Sequence, residues 1–178
     1  MLADGGAPSP LRAALRPGAE QADKQAWVDW LFSRVAARYD LGNDVMSLGW
    51  HTRWKRQLLT LLDLPASSGG AGLRVLDLAT GTGDVALMIA AADPTARIVG
   101  TDINGDMLAV ARAKPGADRI EWVEADATAL PFPDASFDVV TCAYAGRGFP
   151  DWDGILREVH RVLVPGGRFG NLDFARPP

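Results

Sequence analysis

Between Leu73 and Phe174, short apolar runs rich in Val, Leu and Ile alternate with segments of helical period. The runs predict strands over Leu73–Leu78, Arg97–Asp102, Ile120–Ala125, Asp138–Ala143 and Arg168–Phe174. The segments between them predict helices over Asp84–Ala92, Gly105–Ala113 and Asp153–Leu163. "VPGGR" should stop the last helix and reverse the chain, because Pro165 cannot continue it and Gly166 and Gly167 can turn it. Strands separated by helices need crossover connections. The expected fold is therefore α/β: a Rossmann-like, doubly wound, mainly parallel sheet of five strands with helices on both faces. In such sheets a ligand lies beyond the carboxyl ends of the strands, at the topological switch.

Upstream, residues 1–23 read as a flexible leader and 24–64 as an N-terminal helical cover. One helix is expected from Lys24 to Arg38. A second runs from Trp50 to Leu62, with Trp50, Trp54, Leu58, Leu61 and Leu62 on one face. Its other face, Arg53, Lys55 and Arg56, is expected to be solvated. Trp27, Trp30, Trp50 and Trp54 either pack against the sheet or form a surface that meets a membrane. "LPASSGGAG" is a joint, and the main domain covers 72–178.

At 178 residues the chain suits one core, and a net charge of −4 gives no nucleic-acid footprint. A single cysteine, Cys142, excludes an internal disulfide and is expected in the core. Two separated histidines offer no metal-ligand spacing; His51 is expected to be structural and His160 exposed. No segment reads as a membrane span or a secretory signal, so the cytoplasm is the expected location.

The turn after the first strand narrows the chemistry. "GTGDVA" fits G-x-G-x-x-G/A through Gly81, Gly83 and Ala86, and Asp102 follows about 20 residues later. That pattern fits a dinucleotide site, and it also fits a plain strand-to-helix turn. The acids discriminate. Asp77, Asp84 and Asp126 cluster around the turn, and the loop has no Lys or Arg to neutralise a pyrophosphate. A ligand with an ammonium and a sulfonium would be attracted instead, which points to S-adenosylmethionine. Asp102 can accept from ribose hydroxyls, or it can cap the next helix. Asp126 and Ala127 either meet the adenine or form an ordinary polar loop.

"FSRVAARYDLGNDVMSLGWHTRWKR", "VLDLATGTGD", "GTDINGDML", "ADATALPFPDASFD", "REVHRVLVPGGRF" and "LDFARP" together resemble the ubiquinone/menaquinone biosynthesis C-methyltransferase family. The likeness runs from Phe32 to Pro177. It implies a class I methyltransferase fold, S-adenosylmethionine as cofactor and no metal. The implied reaction methylates a ring carbon of a polyprenylated quinol, either a demethylmenaquinol or the benzoquinol equivalent. Thr82, Asp102 and the Asp126–Ala127 pair are implied cofactor contacts. Asp77, Gly81, Gly83, Ile103 and Ala143 belong to the same set, and Tyr39 closes over it. Arg147 is expected beside the phenolic oxygen, with Asp151 as a relay base or a helix cap.

The chain departs from that pattern after the fourth strand. It reads "YAGRGFPD" where the family shows "FGLRNV.D", and Ala143 stands where some members have serine. Family members also continue past "LDFARPP", so a truncated chain is expected, with an open strand edge available to a second copy as a homodimer. A transient contact at the inner membrane face would let the enzyme collect its substrate. Two other readings stand beside the methyltransferase: a cofactor-binding module without turnover, and an NAD-dependent oxidoreductase.

Overall fold

The structure, a computed structural model, describes residues 50–64, 72–146, 149 and 151–174. The expected leader, the Lys24–Arg38 helix, Tyr39, Trp27, Trp30, the 65–71 joint and Arg147 lie outside the described residues. Helix α1 spans Trp50–Leu61, followed by β1 (Arg74–Leu78), α2 (Asp84–Ala92) and β2 (Arg97–Asp102). Then come α3 (Gly105–Arg112), a 3-10 turn (Ala117–Arg119), β3 (Ile120–Glu124), β4 (Phe137–Ala143), α4 (Trp152–Val162) and β5 (Leu163–Leu172).

The five strands form one sheet in the order β3-β2-β1-β4-β5, and every pairing is parallel. The order reverses between β1 and β4, so the crevice expected of a doubly wound sheet opens at their carboxyl ends. Both faces are covered. Val75, Ile98 and Val139 join Val85 and Ile89 of α2, Leu58 and Leu59 of α1, and Leu62 just after it in one core. Leu76, Leu78, Val140 and Cys142 join Ile155, Val159 and Val162 of α4 in the other. Successive residues of β1 thus serve opposite cores, which is why "VLDL" reads as an unbroken apolar run with a single acid.

Two expectations are corrected here. The fifth strand begins at Leu163, directly after α4, and ends at Leu172. "VPGGR" turns the chain as expected, with Gly166 at φ 80°, but it does so inside the strand and not ahead of it. Phe137 pairs with Leu163 and Val139 with Arg168, so the extra residues bulge out within β5. The strand runs parallel to β4, so the chain reverses direction between α4 and the paired stretch from Arg168.

The buried face of α1 is also rotated from the expected one. His51, Lys55, Leu58 and Leu59 are buried along it, while Leu61 is 76% exposed and Trp50 51%. Lys55 is only 6% exposed, against the expectation of a solvated basic face. α1 seats on the sheet at Gly170 of β5, where a Cβ would meet Leu62 at 2.6 Å and Leu58 at 2.8 Å.

Candidate functional site

The loop from β1 to α2 is built on positive backbone angles at Ala79, Gly81 and Gly83. Thr80 donates its N–H to the Thr101 carbonyl at 2.8 Å, and Gly83 donates to Thr80 at 2.9 Å. Its two glycines do different work. A Cβ on Gly83 would lie 2.5 Å from the Trp122 indole, and one on Gly100 2.7 Å from the same ring. Trp122 is fixed there by its Nε1–H bond to the Ala117 carbonyl, 3.0 Å. Gly83 is therefore required for close packing against Trp122. At Gly81 no atom of the described residues lies within 4 Å of the Cβ position. That is where a ligand can meet bare backbone.

Asp102 closes the loop from the neighbouring strand. Its Oδ2 accepts from the Gly81 N–H at 2.8 Å and its Oδ1 from the Asn104 N–H at 2.9 Å. It does not cap α3. Asn104 does, its side chain accepting from the Asp106 and Met107 N–H groups. The cap alternative for Asp102 is thus removed, and its carboxylate is left half-buried at the crevice.

There, Asp102, Ile103, Asp126, Ala127, Phe149 and Asp151 help to line a cavity of about 320 Å³. Ile103 is 50% exposed, an apolar side chain presented to that space. The Asp126 carboxylate accepts from Thr128 N–H and Oγ1–H, both at 2.8 Å, which fixes its turn. The loop beyond is held by Arg161. Its guanidinium pairs with Glu158 at 2.8 Å and Asp134 at 2.9 Å, and it donates to the Leu130 and Phe132 carbonyls. Asp151 caps α4, accepting from the Gly154 N–H at 2.8 Å, while also bordering the cavity.

Asp77 lies deeper, 1% exposed. Thr80 Oγ1–H donates to its Oδ2 at 2.5 Å and Thr141 Oγ1–H to its Oδ1 at 2.7 Å. Burial pushes its carboxyl up to about 6, and the two threonines and Lys55 only partly offset that. With Gly81, Thr82 and Ala143 it lines a second, smaller recess of about 50 Å³, which Lys55, Asp84 and Tyr144 complete. Ala79 borders both spaces. One end of the crevice is apolar and nucleoside-sized, and the other is small and charged.

Residue order does not mark Lys55 as a site residue, yet the fold places it there. Its ammonium lies 2.8 Å from Asp84 Oδ2, and Lys114 lies 2.8 Å from Oδ1. Burial would raise the Asp84 carboxyl, but the two lysine hydrogen bonds outweigh it and leave it below the usual range. Asp84 is therefore neutralised by side chains from outside the loop. Two lysines thus offset part of the negative charge that the loop alone carries. Tyr144, Thr80 and Thr141 join the site in the same way. Nothing in their spacing marks them, although Lys55 stands inside the quoted "WKR". Cys142 is a buried thiol pushed up to about 12, first by burial and then by Asp77, so it is inert. Among the described residues no group of His, Cys, Asp or Glu could hold a metal ion, and no helix is long and apolar enough to cross a membrane.

Comparison with known proteins identifies relatives of this chain. The chain is 48% identical over 150 residues to a demethylmenaquinone methyltransferase of Thermus thermophilus, covering 83% of this chain and 66% of that protein. It is 44% identical over 160 residues to the ubiquinone/menaquinone biosynthesis C-methyltransferase UbiE of Hahella chejuensis, covering 87% and 62%. Among solved structures, the methyltransferase in complex with the Haloferax volcanii Trm112 activator superposes with a TM-score of 0.67 at 30% identity. That match covers 79% of this chain and 58% of the other. The chain spans 60–66% of the length of the curated relatives it matches. A model of the ubiE/COQ5 methyltransferase family matches residues 20–178, which take in the glycine loop, Asp102 and the acids around the crevice, and the chain belongs to that family.

Proposed function

We propose that this chain binds S-adenosylmethionine and serves a C-methyltransferase that acts on a polyprenylated quinol. The observation that carries this reading is the two-ended crevice at the switch point, with Asp102 between an apolar cavity and a charged recess. Bound there, S-adenosylmethionine supplies an electrophilic methyl group on a sulfonium.

The chain's own residues then align and shield. Asp102, anchored by the Gly81 and Asn104 N–H groups, faces the ribose hydroxyls with its carboxylate. Ile103, Ala127 and Phe149 give the adenine an apolar slot, with Asp126 at its polar edge. Gly81 and Thr82 bring backbone to the amino-acid tail, and Asp77 faces its ammonium. Ala143, at the end of β4, borders the recess beside the sulfur. Tyr39 is assigned as a further cofactor contact on the family resemblance. The donor is already activated, so the protein's task is alignment and stabilisation of the developing phenolate. Arg147 is the group we assign to that oxygen. A guanidinium stays protonated, so it acts by charge or by holding the water that takes the proton. Asp151 is near enough to the cavity to relay that proton while it caps α4.

The exposed Trp50, with the Arg53 guanidinium 5.3 Å over its ring, suits a transient membrane-surface contact for collecting a prenylated substrate.

The test is transfer of labelled methyl from S-adenosylmethionine to reduced demethylmenaquinone, with Asp102→Ala beside the unaltered chain. Transfer that is lost in the variant supports the reading. Tight, Asp102-dependent binding of NAD with no binding of S-adenosylhomocysteine would overturn it.

A further inference from the structure

Tyr144 combines three features that methyl transfer as proposed above leaves without a role. Its backbone is left-handed, φ 62°, a conformation that a bulky aromatic residue rarely adopts. The strand-end bond from its N–H to the Leu172 carbonyl, 2.7 Å, and stacking of its ring on Phe174, centroids 5.2 Å apart, hold it in that conformation. Its hydroxyl is buried and has no hydrogen-bond partner among the described residues. A buried phenol without a partner is costly in a folded protein, and such groups mark sites that a ligand completes.

Tyr144 lines the small recess, and the Lys55 ammonium lies 6.0 Å above its ring. The recess is thus lined by a buried carboxyl residue, Asp77, a buried lysine, Lys55, and Tyr144, whose hydroxyl is buried without a partner among the described residues. One ammonium-seeking group opposite a cation and a neutral donor is the complement of an amino-acid zwitterion. Lys55 has three N–H donors and spends one on Asp84, so it can meet a second carboxylate without releasing the first. Burial, and Asp173 after it, hold the Tyr144 hydroxyl above its ordinary value, so it remains a donor.

We propose that Tyr144 Oη and Lys55 Nζ together bind the α-carboxylate of the cofactor's amino-acid tail, opposite the ammonium held by Asp77. This rests on the S-adenosylmethionine reading. It adds a consequence: α1 carries a cofactor ligand, so docking of that helix on the sheet and binding of the tail reinforce each other.

The test is calorimetric titration of the 178-residue chain and its Tyr144→Phe variant with two probes. S-adenosylhomocysteine carries the amino-acid tail, and 5′-methylthioadenosine keeps the nucleoside without it. Tyr144→Phe should weaken S-adenosylhomocysteine by about tenfold, the scale of one hydrogen bond to a charged group, and leave 5′-methylthioadenosine within about twofold. The second probe also reports that the variant is folded. Equal losses for both probes, or no loss for either, would overturn the carboxylate assignment and leave the cofactor reading standing. Failure of the unaltered chain to bind either probe would overturn the cofactor reading and this proposal with it.

Discussion

Lys55 Nζ on α1 lies 2.8 Å from Asp84 Oδ2 at the start of α2. This contact joins the N-terminal cover to the glycine loop, and it places a nearly buried cation at the charged end of the crevice. Asp84 retains Lys114 on its other oxygen, so losing Lys55 does not leave it alone. Lys55→Met should cost about 1–3 kcal/mol, less than breaking a fully buried pair. Lys114→Met should cost less, because that side chain is more exposed. Urea midpoints of the two variants check the order, and the reverse order would contradict it.

Asp77 makes stability depend on pH. Its carboxyl is raised from 3.8 to about 6, so the folded state holds the proton more tightly than the unfolded state. The stability this contributes is complete below pH about 4 and is lost as pH rises through about 6. By linkage, a rise of that size corresponds to about 3 kcal/mol between the two ends of the window. Asp77→Asn should be flat across that window, so its advantage over the unaltered chain should grow from pH about 4 to about 7. Denaturation at a series of pH values measures this directly. A ligand bearing an ammonium favours the ionised carboxylate. Affinity for S-adenosylhomocysteine should therefore rise over the same interval, and Asp77→Asn should remove the rise.

The two loop glycines should separate by phenotype. Gly83→Ala meets both a left-handed backbone, φ 84°, and the Trp122 ring, and should cost about 3 kcal/mol or more. Gly81→Ala meets the backbone penalty alone, about 1–2 kcal/mol, because the space beside it is open. It should instead weaken cofactor binding, since the new methyl enters the crevice. Thermal melts and titrations of both variants decide the matter. A Gly81 variant with normal affinity would remove the loop from the site.

Arg161 should influence binding from a distance. Its ties to Glu158, Asp134 and the Leu130 and Phe132 carbonyls pin the loop that follows Asp126 and Ala127. Arg161→Met should lower stability by about 1–2 kcal/mol and weaken 5′-methylthioadenosine several-fold. Stability lost without any change in that affinity would mean the loop does not shape the adenine end.

The local elements are legible from residue order because they rest on local physics. Apolar runs buried on both faces mark β1, β2 and β4, and α2 and β2 fall on their expected bounds. Position at strand ends is enough to mark Asp77, Asp102, Asp126 and Ala127 as candidates. What residue order could not determine depends on partners remote in the chain. The buried face of α1 follows Lys55 and His51 and not the tryptophans, because Asp84 and the small Gly170 are brought to it only by the assembled sheet. The purpose of Gly83 depends on Trp122, and the cap of α3 passes from Asp102 to Asn104 because Gly81 claims the aspartate. Tyr144 is marked in the sequence only by its place in the departing "YAGRGFPD". Its strain and its unpaired hydroxyl arise only where β4 ends against β5 and α1, and contacts of that kind exist only once distant segments have been packed together.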